Sequence, residues 1–291
     1  MSDSIRGVWY MLVATFVFSL MTVFVKLLPE VPPMEVVFFR AVIAIMLCHL
    51  TVYRLKIPVF GQAKALLILR GLSGAFALIL NYYLIQQVPL AAASTLVYLV
   101  PIFTTVLGIF FVGEKVRALQ FVFFVLSFSG ILIIQGFDER VSFFHLLVGI
   151  SCSMLMGLAY NCVRKLTRTE HPIVIMYYFP LLCLPVTLIG MLFDWKTPEG
   201  IEWLYLLMVG VTGQLAQYYL TRSYQIAEIA TVSIASYSSI IFTLSLGFIL
   251  FGESFNAMTY LGMFLVVLGI ICNILWQQKK PPRTVLVSEE S

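Results

Sequence analysis

The chain alternates between long apolar stretches, each of roughly 20 residues, and short segments that hold most of its charged residues. A helix rises about 1.5 Å per residue, so roughly 20 apolar residues cross the ~30 Å hydrocarbon core of a bilayer. We therefore predict ten transmembrane helices. They run near residues 6–27, 34–54, 65–87, 90–111, 117–136, 143–163, 172–193, 202–223, 229–251 and 257–277. No small-residue cleavage pattern follows the first stretch, so we interpret it as helix one and not as a signal peptide.

Composition points to the same class. Of 291 residues, 61% are hydrophobic and 11% are charged, whereas about a quarter of a soluble domain is charged. The predicted fold class is therefore an all-α membrane protein. The five cysteines lie in or beside apolar stretches without C-x-x-C spacing, so neither a disulfide framework nor a metal site is expected. No cofactor is indicated.

Lysine and arginine are unevenly distributed between alternate connecting segments, which predicts the orientation. If the N-terminus is cytoplasmic, the outer segments hold Lys26, Arg140 and Lys196. The inner segments hold Arg6, Arg54, Lys56, Lys64, Lys115, Arg117, Arg164, Lys165, Arg168, Lys279, Lys280 and Arg283. Both termini are thus expected in the cytoplasm, with residues 278–291 as a disordered tail. The net charge of +4 reflects this topology, and nucleic acid is not an expected partner.

One phrase occurs nearly twice, as "FVGEKV" at 111–116 and "LFGESF" at 250–255. Sliding the chain by 139 positions superposes these phrases, and also Gly74 on Gly213 and Tyr98 on Tyr237. About one residue in four is identical between positions 71 and 134 and their counterparts, where shared composition alone gives roughly one in ten. The chain is therefore predicted to be duplicated, with a first repeat at 1–137 and a second at 138–277.

Each repeat contains five predicted spans, and an odd number forces the second repeat to enter the membrane from the opposite side. The expected fold is ten transmembrane helices arranged as two inverted five-helix repeats. Inverted halves suit alternating access, because exchanging their conformations converts an inward-facing state into an outward-facing one. The duplication therefore favours a secondary transporter.

The five-plus-five layout resembles the EamA-type members of the drug/metabolite transporter superfamily. The resemblance rests on "FFRAVIA" in the second span, "YYLIQQVPLAAASTLVYLVPIFTTVLGIFFVGEKV" across the third and fourth, and "SYQIAEIATVSIASYSSIIFTLSLGFILFGES" in the second half. It implies a ten-helix carrier with cytoplasmic termini and a central cavity, without fixing the substrate. One departure is that Pro101 has Ile240 as its counterpart.

Polar side chains inside spans are costly in hydrocarbon and should face a cavity or another helix. In helix eight, polar residues recur at spacings of three and four, which places them on one face. We nominate Gln214, Gln217, Tyr218 and Arg222 of this face as substrate-binding residues. A helix–helix hydrogen-bond seam is the alternative interpretation.

Three arginines lie within or beside spans. Arg40, Arg70 and Arg222 could each snorkel to an interface, and Arg70 could mark the boundary of helix three. Alternatively, one or more of them binds a substrate carboxylate or phosphate by charge-assisted hydrogen bonds. We nominate Arg40 and Arg222 as binding residues.

A midplane site is predicted where helices four and nine meet. Pro101 cannot donate a hydrogen bond to Val97, which leaves a carbonyl free for a ligand, water or a neighbouring helix. We therefore nominate Tyr98, Ser236 and Tyr237 as binding residues around this helix break. In helix three we nominate Asn81 and Tyr82 as cavity residues, because Asn81 is too polar for lipid. Packing without ligand contact is the alternative. Glu114 and Glu253, at the ends of these helices, are interpreted as helix caps or loop closures.

The sequence thus predicts a secondary transporter of a small organic metabolite, carboxylate-bearing such as an amino acid, in a bacterial inner membrane. A larger nucleotide-like, vitamin-like or amphipathic drug-like substrate is the alternative. A small-molecule substrate and lipid are the expected partners, and a homodimer is a further option. An intramembrane enzyme would need convergent acids or metal ligands, and none is present; a channel would not need inverted halves. The direction of transport and the coupling ion are not indicated.

Overall fold

In a computed structural model the chain forms a bundle of α-helices, and its described ranges contain no strand. Those ranges are residues 3–55, 61–112, 118–166, 169–226, 235–236 and 238–278. The helices described there are α1 Asp3–Lys26, α2 Pro33–Leu55, α3 Lys64–Gln87, α4 Leu90–Val97, α5 Val100–Val112, α6 Ala118–Phe137, α7 Phe143–Leu166, α8 Pro172–Met191, α9 Glu202–Ile226, α10 Ser238–Phe251 and α11 Ala257–Gln278.

Six spans within the described residues are long and apolar enough to cross a membrane. Five coincide with α1, α2, α3, α7 and α8, and the sixth runs from Leu90 to Phe111 through α4 and α5. Three shorter apolar helices, of 10–17 residues, lie within α6, α10 and α11. The chain is therefore a multi-pass helical membrane protein. Helix α9 is long enough to cross a membrane but is not among these spans, because it carries several polar residues.

Local chemistry explains several helix ends. Pro33 is the first residue of α2, where its missing N–H costs nothing. His171 caps α8, its Nδ1 accepting a hydrogen bond from the Ile173 N–H at 3.3 Å. Gly252 ends α10 with a φ of +61°, a conformation that glycine adopts without a Cβ clash.

The predicted fourth span is broken into two helices. α4 ends at Val97 and α5 begins at Val100, immediately before the proline that interrupts the hydrogen-bond ladder. Ser153 of α7 donates to the Leu96 carbonyl at 3.0 Å and to the Val97 carbonyl at 3.4 Å. The sequence left open whether a ligand, water or a neighbouring helix satisfies the free carbonyl, and in the structure a neighbouring helix does.

The most extensive contacts between helices are symmetric with respect to the two halves of the chain. Each of these helices has a counterpart in the other half, displaced by 139 positions. Exchanging each helix with its counterpart converts the pair α1–α9 into α7–α3, α3–α8 into α9–α2, and α5–α7 into α10–α1. The pairs α2–α8 and α6–α11 map onto themselves. A duplicated chain with five spans per half predicts this pattern, since equivalent helices occupy equivalent places.

The crossing of α6 with α11 depends on small residues. A Cβ on Gly130 would lie 2.5 Å from the Gly262 carbonyl oxygen, so the backbones approach too closely for any larger side chain. Ser127 Oγ also donates to the Val266 carbonyl at 3.3 Å. Ser127 and Val266 are 139 positions apart, as expected for equivalent residues near a two-fold axis.

Candidate functional site

Two basic residues lie well inside the bundle. Arg40 and Arg70 are more than five residues from both ends of α2 and α3, and the other lysines and arginines of the described helices lie closer to a helix end. Arg40 is only 6% exposed. Neither has an ion-pair partner among the described residues. Arg70 is half-buried, and its Nε is buried. Two guanidinium charges therefore lie among the helices without a carboxylate to neutralise them.

Arg70 extends toward the middle of its helix and not toward the nearer end. A Cβ on Gly74, one turn deeper in α3, would lie 2.5 Å from Arg70 Nη1. The guanidinium carbon sits 4.6 Å from the centroid of the Phe179 ring of α8, within cation–π range. Arg70 Nε is buried and has no hydrogen-bond partner. Of the two interpretations that the sequence left open for Arg70, snorkelling does not fit this geometry, because the guanidinium points away from the start of α3 at Lys64.

Arg40 is enclosed in a comparable way. Its guanidinium carbon lies 5.7 Å from the centroid of the buried Tyr82 ring. A Cβ on Gly213 of α9 would lie 2.8 Å from Arg40 Nε and 3.1 Å from Met21 Sδ. Snorkelling does not describe this position, since the side chain is covered by α1, α3 and α9.

The two glycines that make room for these arginines are equivalent in the repeat, 139 positions apart. Gly74 is the eleventh of 24 residues in α3, and Gly213 is the twelfth of 25 in α9. Both guanidinium groups therefore lie beside helix midpoints, at similar depth. Sequence reasoning could have found this arrangement, because two equivalent mid-helix glycines mark close approaches in both halves.

The nominated residues of α3 have different environments. Tyr82 is fully buried, and its hydroxyl donates to Met21 Sδ at 3.4 Å. Asn81 is half-buried on the adjacent face of the helix. Tyr82 thus joins Arg40 in one cluster, and its ring is covered by packing.

Of the residues nominated near the helix break, Tyr98 lies in a seam of hydroxyl groups between α1, the end of α4 and α10. The Tyr98 hydroxyl is hydrogen-bonded to Ser239 Oγ, and Thr15 Oγ1 is 3.0 Å from Ser238 Oγ. Ser236 is half-buried. Pro101 is the second residue of α5, and Tyr237 lies outside the described residues. These contacts join the two halves through hydroxyl groups.

The four nominated residues of α9 occupy two environments. Gln214 is half-buried and donates to Cys48 Sγ of α2 at 3.3 Å, while Gln217 is also half-buried. Tyr218 and Arg222 are exposed on the bundle surface, on a face shared with other exposed residues. The apolar members of that face are Leu204, Leu207, Val211 and Leu215. The structure therefore does not bring Tyr218 and Arg222 into the cluster around Arg40.

A cavity of about 410 Å³ opens near the end of the bundle where α2 begins. It lies between α2, α3, α7 and α8, and its lining is largely apolar and aromatic, including Tyr83, Phe144 and Phe193, with Asp194 as an acidic member. None of the nominated residues lines it.

At the end of the bundle where α1 stops, a buried ion pair joins the two halves. Lys26 Nζ lies 3.1 Å from Glu253 Oε1 and donates to the Val88 carbonyl at 2.5 Å. Both oxygens of Glu253 accept from the Leu90 N–H, at 3.0 and 2.9 Å. Glu253 thus caps α4, a helix other than its own. Glu114 lies outside the described residues.

Comparison with known proteins adds a second line of evidence. A model of the EamA-like transporter family matches residues 5–136 and again residues 143–275. The chain is 30% identical over 277 residues to the pseudopaline exporter CntI of Pseudomonas aeruginosa, covering 94% of this chain and 97% of the exporter. It is 24% identical over 252 residues to the S-adenosylmethionine uptake transporter of Rickettsia felis, with 84% of each chain covered. A solved crystal structure matches with a TM-score of 0.66 at 16% identity, over 96% of this chain and 99% of that one, which supports the fold alone.

Proposed function

The chain belongs to the EamA-like transporter family, and on that premise we propose that it is a ten-helix secondary transporter of a small organic metabolite bearing a carboxylate. In this proposal the halves 1–137 and 138–277 are inverted five-helix repeats in a bacterial inner membrane, with both termini cytoplasmic. The symmetric packing of equivalent helices supports this arrangement. The uneven distribution of lysine and arginine supports the orientation.

The observation that carries the substrate class is the pair of enclosed guanidinium groups of Arg40 and Arg70. A charge inside a membrane protein is costly, and such residues mark substrate pathways when no partner neutralises them. A carboxylate supplies the missing partner through charge-assisted hydrogen bonds. The position of both groups beside helix midpoints suits a carrier, whose binding site must be reachable from both sides.

The relatives include one exporter and one uptake transporter, so the family does not assign a direction. The S-adenosylmethionine relative favours the second candidate, a larger nucleotide-like substrate that stacks on aromatic rings. Tyr82 and Tyr98 give that candidate less support, because Tyr82 is fully buried against its neighbours and the Tyr98 hydroxyl bonds to Ser239.

Ligand-dependent thermal stability of the purified protein tests the proposal. A ligand that binds only the folded state raises its apparent stability, so carboxylates should raise the Tm whereas lipophilic cations should not. Arg40→Ala should weaken carboxylate binding at least about tenfold, because it removes a charge-assisted contact. Arg54→Ala is the matched control, an exposed arginine at the end of the same helix. Stabilisation by nucleotides or flavins alone would favour the second candidate instead.

A further inference from the structure

At the depth of the helix midpoints, the described helices carry the two arginines Arg40 and Arg70 and no acidic residue. Within the described helices, acidic residues occur only at the first or third position, as Asp3, Glu35 and Glu202. The remaining acids of the described ranges lie in connecting segments. Arg40 and Arg70 therefore lie at similar depth in the bundle without a compensating carboxylate.

Electrostatics in a poorly solvated interior favour a neutral total charge, since burying an unpaired ion costs several kcal/mol. A monoanion neutralises only half of the charge of this arginine pair. We propose that the substrate is a dianion, and that Arg70 is a binding residue together with Arg40. This proposal rests on the proposed transport function and specifies the charge of its substrate.

The geometry gives each guanidinium group a defined place from which to bind. Arg70 is fixed between the Gly74 backbone and the Phe179 ring, and Arg40 between the Gly213 backbone and the Tyr82 ring. A guanidinium has five N–H donors, and Arg70 Nε is a buried donor with no acceptor. An anion at this depth supplies the acceptors that the protein lacks.

Paired ligands that share a carbon skeleton isolate the effect of the second charge. Affinities would be measured by calorimetry for butanoate against succinate and for hexanoate against adipate, at constant ionic strength. Glycerol phosphate serves as a dianion whose two charges reside on one group. We expect at least one dianion to bind about tenfold or more tightly than the monoanions, because it forms charge-assisted hydrogen bonds with both arginines.

Variants assign this preference to the two arginines. Arg40→Ala and Arg70→Ala should each remove most of the difference between dianion and monoanion, whereas Lys64→Ala, at the exposed start of α3, should leave it intact. If Arg70→Ala does not fold, Gly74→Ala provides a second test. Its Cβ would lie 2.5 Å from Arg70 Nη1, so it displaces the guanidinium without removing the charge. That variant should weaken dianion binding more than monoanion binding.

The outcomes separate this proposal from the proposed function. Equal affinity for monoanions and dianions would overturn the dianion assignment and leave a carboxylate transporter intact. A preference that persists in Arg70→Ala would remove Arg70 from the site. Failure of every carboxylate and phosphate to bind would contradict both proposals. Preference for succinate or adipate over glycerol phosphate would indicate a substrate with two separate anionic groups. Preference for glycerol phosphate would indicate a single doubly charged group. Both results support a dianion.

Discussion

At the scale of single residues, the arginines show how sequence position and side-chain direction differ. Arg40 and Arg70 lie seven and six residues inside their helices, which is close enough to an end for a flexible side chain to reach the interface. Both side chains instead occupy space left by a missing Cβ on a neighbouring turn or helix. Glycine at those two positions is thus a packing requirement for the arginines.

Replacing either glycine should disturb this packing. Gly213→Ala places a Cβ 2.8 Å from Arg40 Nε and 3.1 Å from Met21 Sδ. We expect the free energy of unfolding to fall by about 1–3 kcal/mol, the usual cost of overpacking a filled interior. Thermal unfolding in detergent measures it. Leu215→Ala, on the exposed face of the same helix, should change stability by less than about 0.5 kcal/mol. An equal loss in both variants would contradict the packing requirement.

At the scale of helices, the break between α4 and α5 depends on α7 for its polar satisfaction. Ser153 supplies the hydrogen bonds that the interrupted helix lacks, and Asn161 Nδ2 donates to the Thr104 carbonyl at 2.9 Å. Unsatisfied carbonyls inside a membrane protein are costly, so a broken helix persists only where a neighbour supplies donors.

Ser153→Ala should therefore destabilise the fold by about 1–3 kcal/mol, because it leaves the Leu96 and Val97 carbonyls without their side-chain donor. The matched control is Ser151→Ala, two residues earlier on an exposed face of α7. Chemical or thermal unfolding of both variants gives the comparison. If Ser153→Ala were as stable as the control, water or a backbone shift would have to replace the serine.

At the scale of the whole molecule, the pair Lys26–Glu253 joins one half of the chain to the other. Glu253 is 7% exposed and Lys26 17%, so the pair is mostly removed from solvent. Glu253 also accepts from the first N–H of α4, which makes one carboxylate the junction of three segments. Breaking a buried pair leaves an uncompensated charge, and this costs more than the pair itself contributes.

Glu253→Ala should lower the free energy of unfolding by about 3 kcal/mol, since it strands the Lys26 ammonium and uncaps α4. The Tm would report this loss, and Lys26→Met in the same background should recover part of it. The exposed pair Lys196–Glu30 provides the control, because Glu30→Ala should change stability by at most about 1 kcal/mol. No loss in Glu253→Ala would mean that the junction contributes little to holding the halves together.

The sequence by itself determined the helical membrane class, most helix boundaries, and the family. Apolar stretches of spanning length specify these features locally, and α1, α2, α3, α7 and α8 begin and end within a few residues of the predicted spans. The duplication could also be read from the sequence, because the identities at an offset of 139 residues are visible without knowledge of contacts. The break before Pro101 was anticipated from the missing N–H of proline.

Only the tertiary structure decided which polar residues meet. Helical periodicity placed Tyr218 and Arg222 on one face with Gln214, but the packing of α9 against α1 and α2 leaves that pair exposed and covers Gln214. Likewise, no local pattern predicted the direction of the Arg70 side chain, whose guanidinium is placed by Gly74 and by Phe179 of another helix. Such outcomes depend on contacts between helices distant in the chain, and no local pattern encodes the rotation of one helix against another.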